Sequence, residues 1–232
     1  MNNTKNTYHP IRVILHIIAF LALFLMEQLP LSVLTLTKKE LGTKYSSYIK
    51  MAPLVTLILL IIAATVIIWT FKKAQKFPTS SFTKGTWIII VIATVLTFII
   101  NIVTLPFMKS SNENVEALQL VANNSMIILI IFTIFVAPIL EEILFRGIFM
   151  NWFFVDHPLI SVIISGVIFG YVHAPFGGNT DWFYALSKIL LGVILAGVYY
   201  RTKNIKANIT VHFLNNFLAI LAGAIASGVI LL

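Results

Sequence analysis

Long uninterrupted apolar runs constrain this chain more than any other feature of its sequence. Residues 51–71 and 86–107 contain no charged side chain, and about 20 apolar residues suffice for a transmembrane helix. Such segments form helices because lipid offers the backbone no hydrogen-bond partners. Of the 232 residues, 59% are hydrophobic and only 10% are charged. We therefore predict an all-α fold, a polytopic membrane bundle of about seven transmembrane helices.

The predicted spans follow one another without a linker, a low-complexity segment or an internal repeat. They cover residues 11–26 with a continuation toward 36, then 51–71, 86–107, 126–154, 159–173, 183–200 and 207–232. Residues 109–124 form the most polar stretch and are predicted to hold a short surface helix. Within one integrated membrane domain, we separate N-terminal spans (1–125) from a core (126–232).

Small residues and a few polar groups predict contacts between the spans. The fifth span is short for a crossing, and its Gly166 and Gly170 favour close approach of a neighbouring helix. In the sixth span, Gly192, Ala196 and Gly197 are predicted packing positions. The segment from Gly223 to Gly228 in the seventh span is predicted to be a packing surface of small residues.

The positive charges indicate how the chain sits in the membrane. With seven spans, the side that carries the N-terminus has nine lysine and arginine residues and the other side has six. The positive-inside rule then places the N-terminus of this multi-pass cell-membrane protein in the cytoplasm. The net charge of +8 is spread over the connecting loops. This distribution indicates contact with membrane lipids rather than nucleic-acid binding. Because there are no cysteines, disulfides, thiolate metal sites and cysteine nucleophiles are excluded.

Three charged residues lie inside the apolar run from residue 126 to 154. Charges at that depth cost about 2.5–3.5 kcal/mol each on insertion scales. Glu142 and Arg146 are four residues apart, so they share a helix face and can form an ion pair. Glu141 is rotated by about 100° from Glu142 and lacks a local counter-charge. The alternative is that all three only tie helices together, but an uncompensated carboxylate favours a functional group.

Two further polar pairs lie on later spans. Phe169 and His173, like His212 and Asn216, are four residues apart and share a helix face. Each pair alone is explained by an interfacial histidine or an interhelical amide bond. Together with Glu141, however, they place a carboxylate, two imidazoles and an amide on three spans, which packing alone does not explain.

Three other polar residues in the spans are predicted to have structural roles. Glu27 is interpreted as an interfacial carboxylate near the exit of the first span. His16 is interpreted as a packed side chain, and Asn101 as the donor or acceptor of an interhelical hydrogen bond.

The three polar sets resemble a known family. In order, Glu141-Glu142-xxx-Arg146, Phe169-xxx-His173 and His212-xxx-Asn216 are similar to the motifs of the CAAX-protease and bacteriocin-processing family. Its members are also called Abi-domain proteins or type II CAAX prenyl endopeptidases. The resemblance covers roughly residues 126–220 and implies an intramembrane endopeptidase. Its substrate would be a peptide or a membrane protein.

The resemblance also implies roles for the motif residues. Glu141 would be the general base, and His173 would help to hold and polarise a water molecule. His212 and Asn216 would form the oxyanion pocket, while Glu142, Arg146 and Phe169 would shape the site. The residues support this chemistry independently, because a carboxylate and an imidazole can activate water. Gly-x-Ser-x-Gly and His-Glu-x-x-His motifs are absent.

A zinc-dependent version would use Glu141, His173 and His212 as ligands. Asn216 is a poor zinc ligand and a good oxyanion donor, which favours the mechanism without a cofactor. Two non-proteolytic readings also remain: a bacteriocin-immunity or scaffold protein of the same family, and a transporter lined by these polar groups. We expect the motif residues to share one water-filled cavity that opens to the cytoplasm.

Overall fold

The computed structural model describes residues 10–76, 79–109, 113–177 and 180–226, and all regular secondary structure in these ranges is helical. The long helices are α1 (Pro10–Ser32), α2 (Tyr45–Ala74), α3 (Lys84–Thr104), α4 (residues 113–152, several helical segments in succession), α5 (Pro158–His173), α6 (Trp182–Thr202) and α7 (Ile205–Ala226).

The helices have the lengths and composition of a membrane protein. Six described segments are long and apolar enough to cross a bilayer, and α5 is a shorter apolar helix. Large apolar side chains such as Ile14, Ile58 and Leu96 are exposed on the outer surface, whereas four charged side chains of the spans are buried, namely Glu27, Glu141, Glu142 and Arg146. This distribution suits lipid surroundings. The predicted polytopic helical bundle is therefore confirmed, and the chain is a multi-pass membrane protein.

Two predicted helix boundaries are informative for the later argument. Helix α1 continues beyond residue 26 to Ser32, and a 3-10 turn (Val33–Thr35) follows. The polar stretch 109–124 does carry a surface helix, which begins at Glu113. At Ser125 the backbone is extended (φ −164°, ψ 93°), so this helix is kinked before the fourth span begins.

Helix α4 is the centre of the bundle and is irregular. A π-helical segment (Phe132–Val136) precedes a regular segment (Ala137–Glu142), and a second π-helical segment (Ile143–Phe149) follows. All residues from 140 to 151 are buried. A helix that is buried on every side must be covered by neighbours all round, and π-helical turns are frequent at functional sites.

The closest helix contact is between α5 and α6, and glycine makes it possible. A Cβ atom on Gly166 would lie 2.6 Å from the backbone nitrogen of Val193. On Gly170 it would lie 2.7 Å from the backbone nitrogen of Ile189. The close approach predicted from these two glycines is confirmed, and α6 contributes Gly192 to the same contact.

The structure confirms some of the other predicted packing positions and contradicts others. Ala196 is fully buried, as predicted. The prediction was wrong for Gly197 and Gly223, because a Cβ atom on either would meet no atom within 4 Å among the described residues. Gly228 lies outside the described residues. His16 stacks on Trp152 with 4.5 Å between ring centres, so its interpretation as a packed side chain is confirmed.

The connections between helices define two ends of the bundle. At the end where α1 begins, which we call the N-terminal end, the Ser80 amide donates to the Lys203 carbonyl at 3.3 Å. At the opposite end, the Lys109 amide donates to Asp181 Oδ2 at 2.8 Å. There the Asn124 side chain also donates to the Leu34 carbonyl at 2.7 Å. Each connection thus packs against others at its own end.

We expect Gly170→Ala to lower the free energy of unfolding by about 1–3 kcal/mol, because the new methyl group would press on the α6 backbone. Gly197→Ala is the matched control, since it adds the same methyl group where there is space and improves helix propensity. Unfolding in mixed detergent and dodecyl sulfate micelles measures both. Equal stability of the two variants would contradict the described α5–α6 contact.

Candidate active site

Glu142 is the most fully bonded carboxylate of the bundle. It is completely buried and pairs with Arg146 Nη1 at 3.0 Å, as predicted. The same Oε1 atom lies 2.9 Å from His212 Nδ1, and Asn208 Nδ2 donates to Oε2 at 3.2 Å. A charge in a low-dielectric interior is tolerated only with such partners. Sequence analysis missed Asn208, although it lies four residues before His212 and so shares its helix face.

Arg146 connects this carboxylate to α6. Its Nη2 atom donates to the Gly192 carbonyl at 2.7 Å, and its guanidinium lies 4.7 Å from the centre of the Phe169 ring. The Gly192 carbonyl belongs to the glycine-mediated contact between α5 and α6. The ion pair of α4 is thereby fixed to the neighbouring helices.

Both histidines are held through Nδ1. In His173, Nδ1 lies 2.8 Å from the Phe169 carbonyl oxygen, which can only accept, so Nδ1 carries the proton in the neutral ring. In His212, Nδ1 faces the Glu142 carboxylate, and the same reasoning applies. The Phe169 ring contacts both imidazoles, with ring centres 4.4 Å and 5.7 Å apart. Both Nε2 atoms are thereby left to face the same place.

That place is the Glu141 carboxylate. Its Oε2 atom lies 3.7 Å from His173 Nε2 and 3.9 Å from His212 Nε2. These separations exceed those of direct hydrogen bonds. Within the described part of the chain, Oε2 is buried and accepts no hydrogen bond. Glu141 therefore differs from its neighbour Glu142, whose oxygen atoms are both bonded.

Asn216 belongs to a chain of amides that crosses three helices. Asn101 donates to Asn215 at 2.9 Å, Asn215 donates to Asn216 at 3.0 Å, and Asn216 donates to the Thr133 carbonyl at 2.9 Å. Thr133 lies in the first π-helical segment of α4. The interhelical hydrogen bond predicted for Asn101 is confirmed, and the chain of amides fixes the orientation of the Asn216 side chain.

The motif residues line one cavity of about 160 Å³, which we call the central cavity. Its lining includes Glu141, Phe169, His173, His212 and Asn216. The three sets recognised in the sequence thus meet at one place. The expectation of a single shared cavity agrees with this arrangement.

Glu27 also lines the central cavity, so its interpretation as an interfacial carboxylate was wrong. It is only 1% exposed. The error arose because Glu27 was placed near the exit of the span, whereas α1, as the predicted continuation toward residue 36 allows, extends to Ser32 and carries Glu27 inside the bundle. The sequence did contain a signal of this burial, because apolar residues continue after Glu27.

A second cavity of about 430 Å³, the apolar cavity, lies between α3, α6 and α7. Most of its lining is apolar, with Phe98, Ile102 and Leu218 among the residues. Four residues line both cavities, namely Thr133, Tyr184, Lys188 and Asn216. The polar site is therefore adjacent to a larger space suited to apolar groups.

The position of the central cavity affects two predictions about orientation. Its lining includes Gln28, Asn114, Leu118 and Tyr184, which all lie toward the end of the bundle opposite to the N-terminus. A cytoplasmic N-terminus would direct this end away from the cytoplasm. An opening at this end would make the predicted cytoplasmic N-terminus and the predicted cytoplasmic opening incompatible, and both stay predictions.

One comparison with known proteins bears on this site. Residues 123–218 match the family described as type II CAAX prenyl endopeptidase Rce1-like. The matched stretch contains every motif residue from Glu141 to Asn216, whereas α1 to α3 lie outside it. No curated protein and no solved structure matches the chain. The division of the chain at residue 125 stays a prediction.

The side chains of the site are of the types that bind zinc, but their ligand atoms are farther apart than in a tetrahedral zinc site. Glu141, His173 and His212 offer one oxygen and two nitrogen atoms, as catalytic zinc sites often do. Neighbouring ligand atoms of tetrahedral zinc are roughly 3.4 Å apart, and the two separations from Glu141 Oε2 are 3.7 Å and 3.9 Å. Among the described residues, no group of three or more His, Asp or Glu is arranged as a metal site. Zinc binding would require these side chains to move closer together.

We expect Arg146→Met to lower the free energy of unfolding by about 3–5 kcal/mol, because it leaves Glu142 charged, buried and without its cation. The double variant Glu142→Gln/Arg146→Met should lose less, since no uncompensated charge remains. Unfolding in mixed micelles measures both variants. A double variant less stable than Arg146→Met would contradict the described role of the pair.

The absence of native cysteines allows the opening of the central cavity to be located by labelling. Thr43→Cys marks the end of the bundle opposite to the N-terminal end. We expect Leu118→Cys to react with a membrane-impermeant maleimide from the same side as this marker. Ser80→Cys marks the N-terminal end and should react from the other side. Labelling in sealed, oriented vesicles measures this. Reaction of Leu118→Cys together with Ser80→Cys would show that the cavity opens at the N-terminal end.

Proposed function

We propose that this protein is an intramembrane endopeptidase that uses Glu141 to activate a water molecule. The observation that carries the proposal is the convergence of Glu141 Oε2 with two imidazole Nε2 atoms, at 3.7 Å and 3.9 Å. This convergence lies within a membrane bundle. The match to a type II CAAX prenyl endopeptidase family supports peptide-bond hydrolysis as the reaction.

The proposed reaction proceeds by general-base catalysis. Glu141 takes a proton from water, and the hydroxide oxygen attacks the carbonyl carbon of the scissile peptide bond. His173 accepts a hydrogen bond from the same water through Nε2 and so orients it. The carbon–nitrogen bond then breaks, and Glu141 returns its proton to the leaving nitrogen. The products are a carboxylic acid and an amine.

His212 and Asn216 are the proposed partners of the oxyanion that forms during the attack. The Asn216 amide has two N–H groups, and only one of them is used by the Thr133 carbonyl. His212 donates from Nε2 when its ring carries both protons, with Nδ1 bonded to Glu142. Donors held in place before the reaction are effective because no reorganisation is needed.

The zinc-dependent alternative uses the same cavity. Glu141, His173 and His212 would hold the ion, and zinc would supply activation of a bound water and polarisation of the carbonyl. Asn216 would keep its position as a donor toward the substrate carbonyl. The spacing of the three side chains and the amide chain at Asn216 support the version without metal.

The substrate is proposed to be a peptide or a membrane-protein segment that reaches the site within the bilayer. The apolar cavity adjoins the site at Lys188 and Asn216. A substrate with apolar groups beside its scissile bond would place them there. Membrane lipids surround the bundle, and no nucleic-acid partner is proposed.

Glu141→Gln should abolish cleavage of a quenched peptide library by the purified protein, since the amide cannot accept the proton of water. Glu116→Gln, which removes an exposed carboxylate on α4, should cleave like wild type. A strong chelator should leave the wild-type rate unchanged.

Loss of activity under chelation, restored by added zinc, would replace the metal-free mechanism by the zinc-dependent one. Unchanged cleavage by Glu141→Gln would overturn the assignment of Glu141 itself. A binding function that survives Glu141→Ala, with no cleavage of any peptide, would favour the non-catalytic reading.

A further inference from the structure

Glu27 is a charged side chain of the central cavity that no motif contains. It lies on α1, outside the matched residues 123–218, and it is 1% exposed. The Gln28 side chain donates a hydrogen bond to Glu27 Oε2. Among the described residues, Glu27 is within 4.0 Å of no lysine, arginine or histidine nitrogen. A buried carboxylate with one neutral donor remains poorly compensated.

The charges that line the central cavity do not balance. Glu27 and Glu141 contribute two carboxylates, and Lys188 contributes one ammonium. The charge of Glu142 is left out of this sum, because Arg146 neutralises it. Both carboxylates, Glu27 and Glu141, line this one cavity. With both carboxylates ionised and the two histidines of the lining neutral, the cavity has one negative charge in excess.

Lys188, which is already included in this sum, does not pair directly with either carboxylate. Its Nζ atom lies 5.1 Å from the centre of the Tyr184 ring, and it forms no ion pair with a carboxylate of the described residues. A second observation points to a ligand. Glu141 Oε2 is buried, lines the same cavity and accepts no hydrogen bond from the described residues. The two carboxylates thus share a cavity with room for a further positive group.

The wall around Glu27 suits a long cationic side chain. Phe24 and Leu31 lie three residues before and four residues after Glu27, so all three share one face of α1. Both apolar residues line the central cavity with it. Lysine and arginine place their methylene stems along apolar surface and direct the charged group to a polar partner. Gln28, at the same wall, offers an amide oxygen as a second acceptor.

We propose that Glu27 forms a subsite that binds a lysine or arginine side chain of the substrate beside the scissile bond. This inference rests on the proposed endopeptidase function and adds a specificity-determining residue to it. The substrate cation would balance the excess charge of the cavity. It would also fix the position of the peptide relative to Glu141.

Peptides blocked at both ends, with lysine or its neutral isostere norleucine near the scissile bond, test this proposal. A second pair uses arginine and its neutral isostere citrulline. The wild-type protein should prefer the cationic peptide of each pair by at least about tenfold in kcat/KM, as expected for a buried charge pair. In Glu27→Gln the preference should fall to about twofold or less, while the neutral peptides are still cleaved.

Two control variants distinguish a preference that is lost with the charge from one that is lost because the variant misfolds. Glu27→Asp keeps the charge and should keep most of the preference, whereas Glu116→Gln should behave like wild type. A wild-type protein without any preference would overturn the proposal and favour one proton shared between Glu27 and Glu141. An unchanged preference in a folded Glu27→Gln would overturn it as well. Cleavage that survives Glu141→Gln would instead refute the proposed function, so the two failures are distinguishable.

Discussion

The buried ion pair between Glu142 and Arg146 is the interaction on which the candidate site depends. Through Glu142 it contacts His212 and Asn208 on α7, and through Arg146 it contacts Gly192 on α6. Three helices therefore meet at one pair of charges on the central helix. Because a buried pair is tolerated only when further hydrogen bonds support its charged groups, it admits few arrangements of its neighbours. The orientation of His212 toward Glu141 follows from this constraint.

Much of this arrangement could be predicted from the sequence. Hydropathy placed the spans, because lipid enforces long apolar helices. Helical periodicity placed Glu142 beside Arg146, and the two glycines of α5 predicted its close contact with α6. The motif residues on three spans were expected in one cavity, since isolated polar groups in lipid are costly. The structure brings Glu141, His173 and His212 together there.

Other features required the structure. Glu27 was misplaced because a carboxylate that follows an apolar run was interpreted as interfacial, whereas its side chain is buried inside the bundle. Asn208 was missed although its spacing from His212 places both on one helix face, because only the structure shows that this face is directed at Glu142. The π-helical segments that flank Ala137–Glu142 also leave no trace in hydropathy. Side-chain direction depends on packing between helices, which a periodic pattern does not specify.

The shortness of α5 has a consequence for the surrounding lipid. Its 16 residues span about 24 Å at 1.5 Å per residue, against a hydrocarbon core of about 30 Å. Ala174 directly after α5, and Thr180 and Asp181 directly before α6, are buried. Hydrophobic mismatch of this kind is relieved by local thinning of the bilayer. Because His173 is the last residue of α5, its depth in the membrane is linked to the local thickness of the bilayer, and a thinner bilayer matches the length of α5 better.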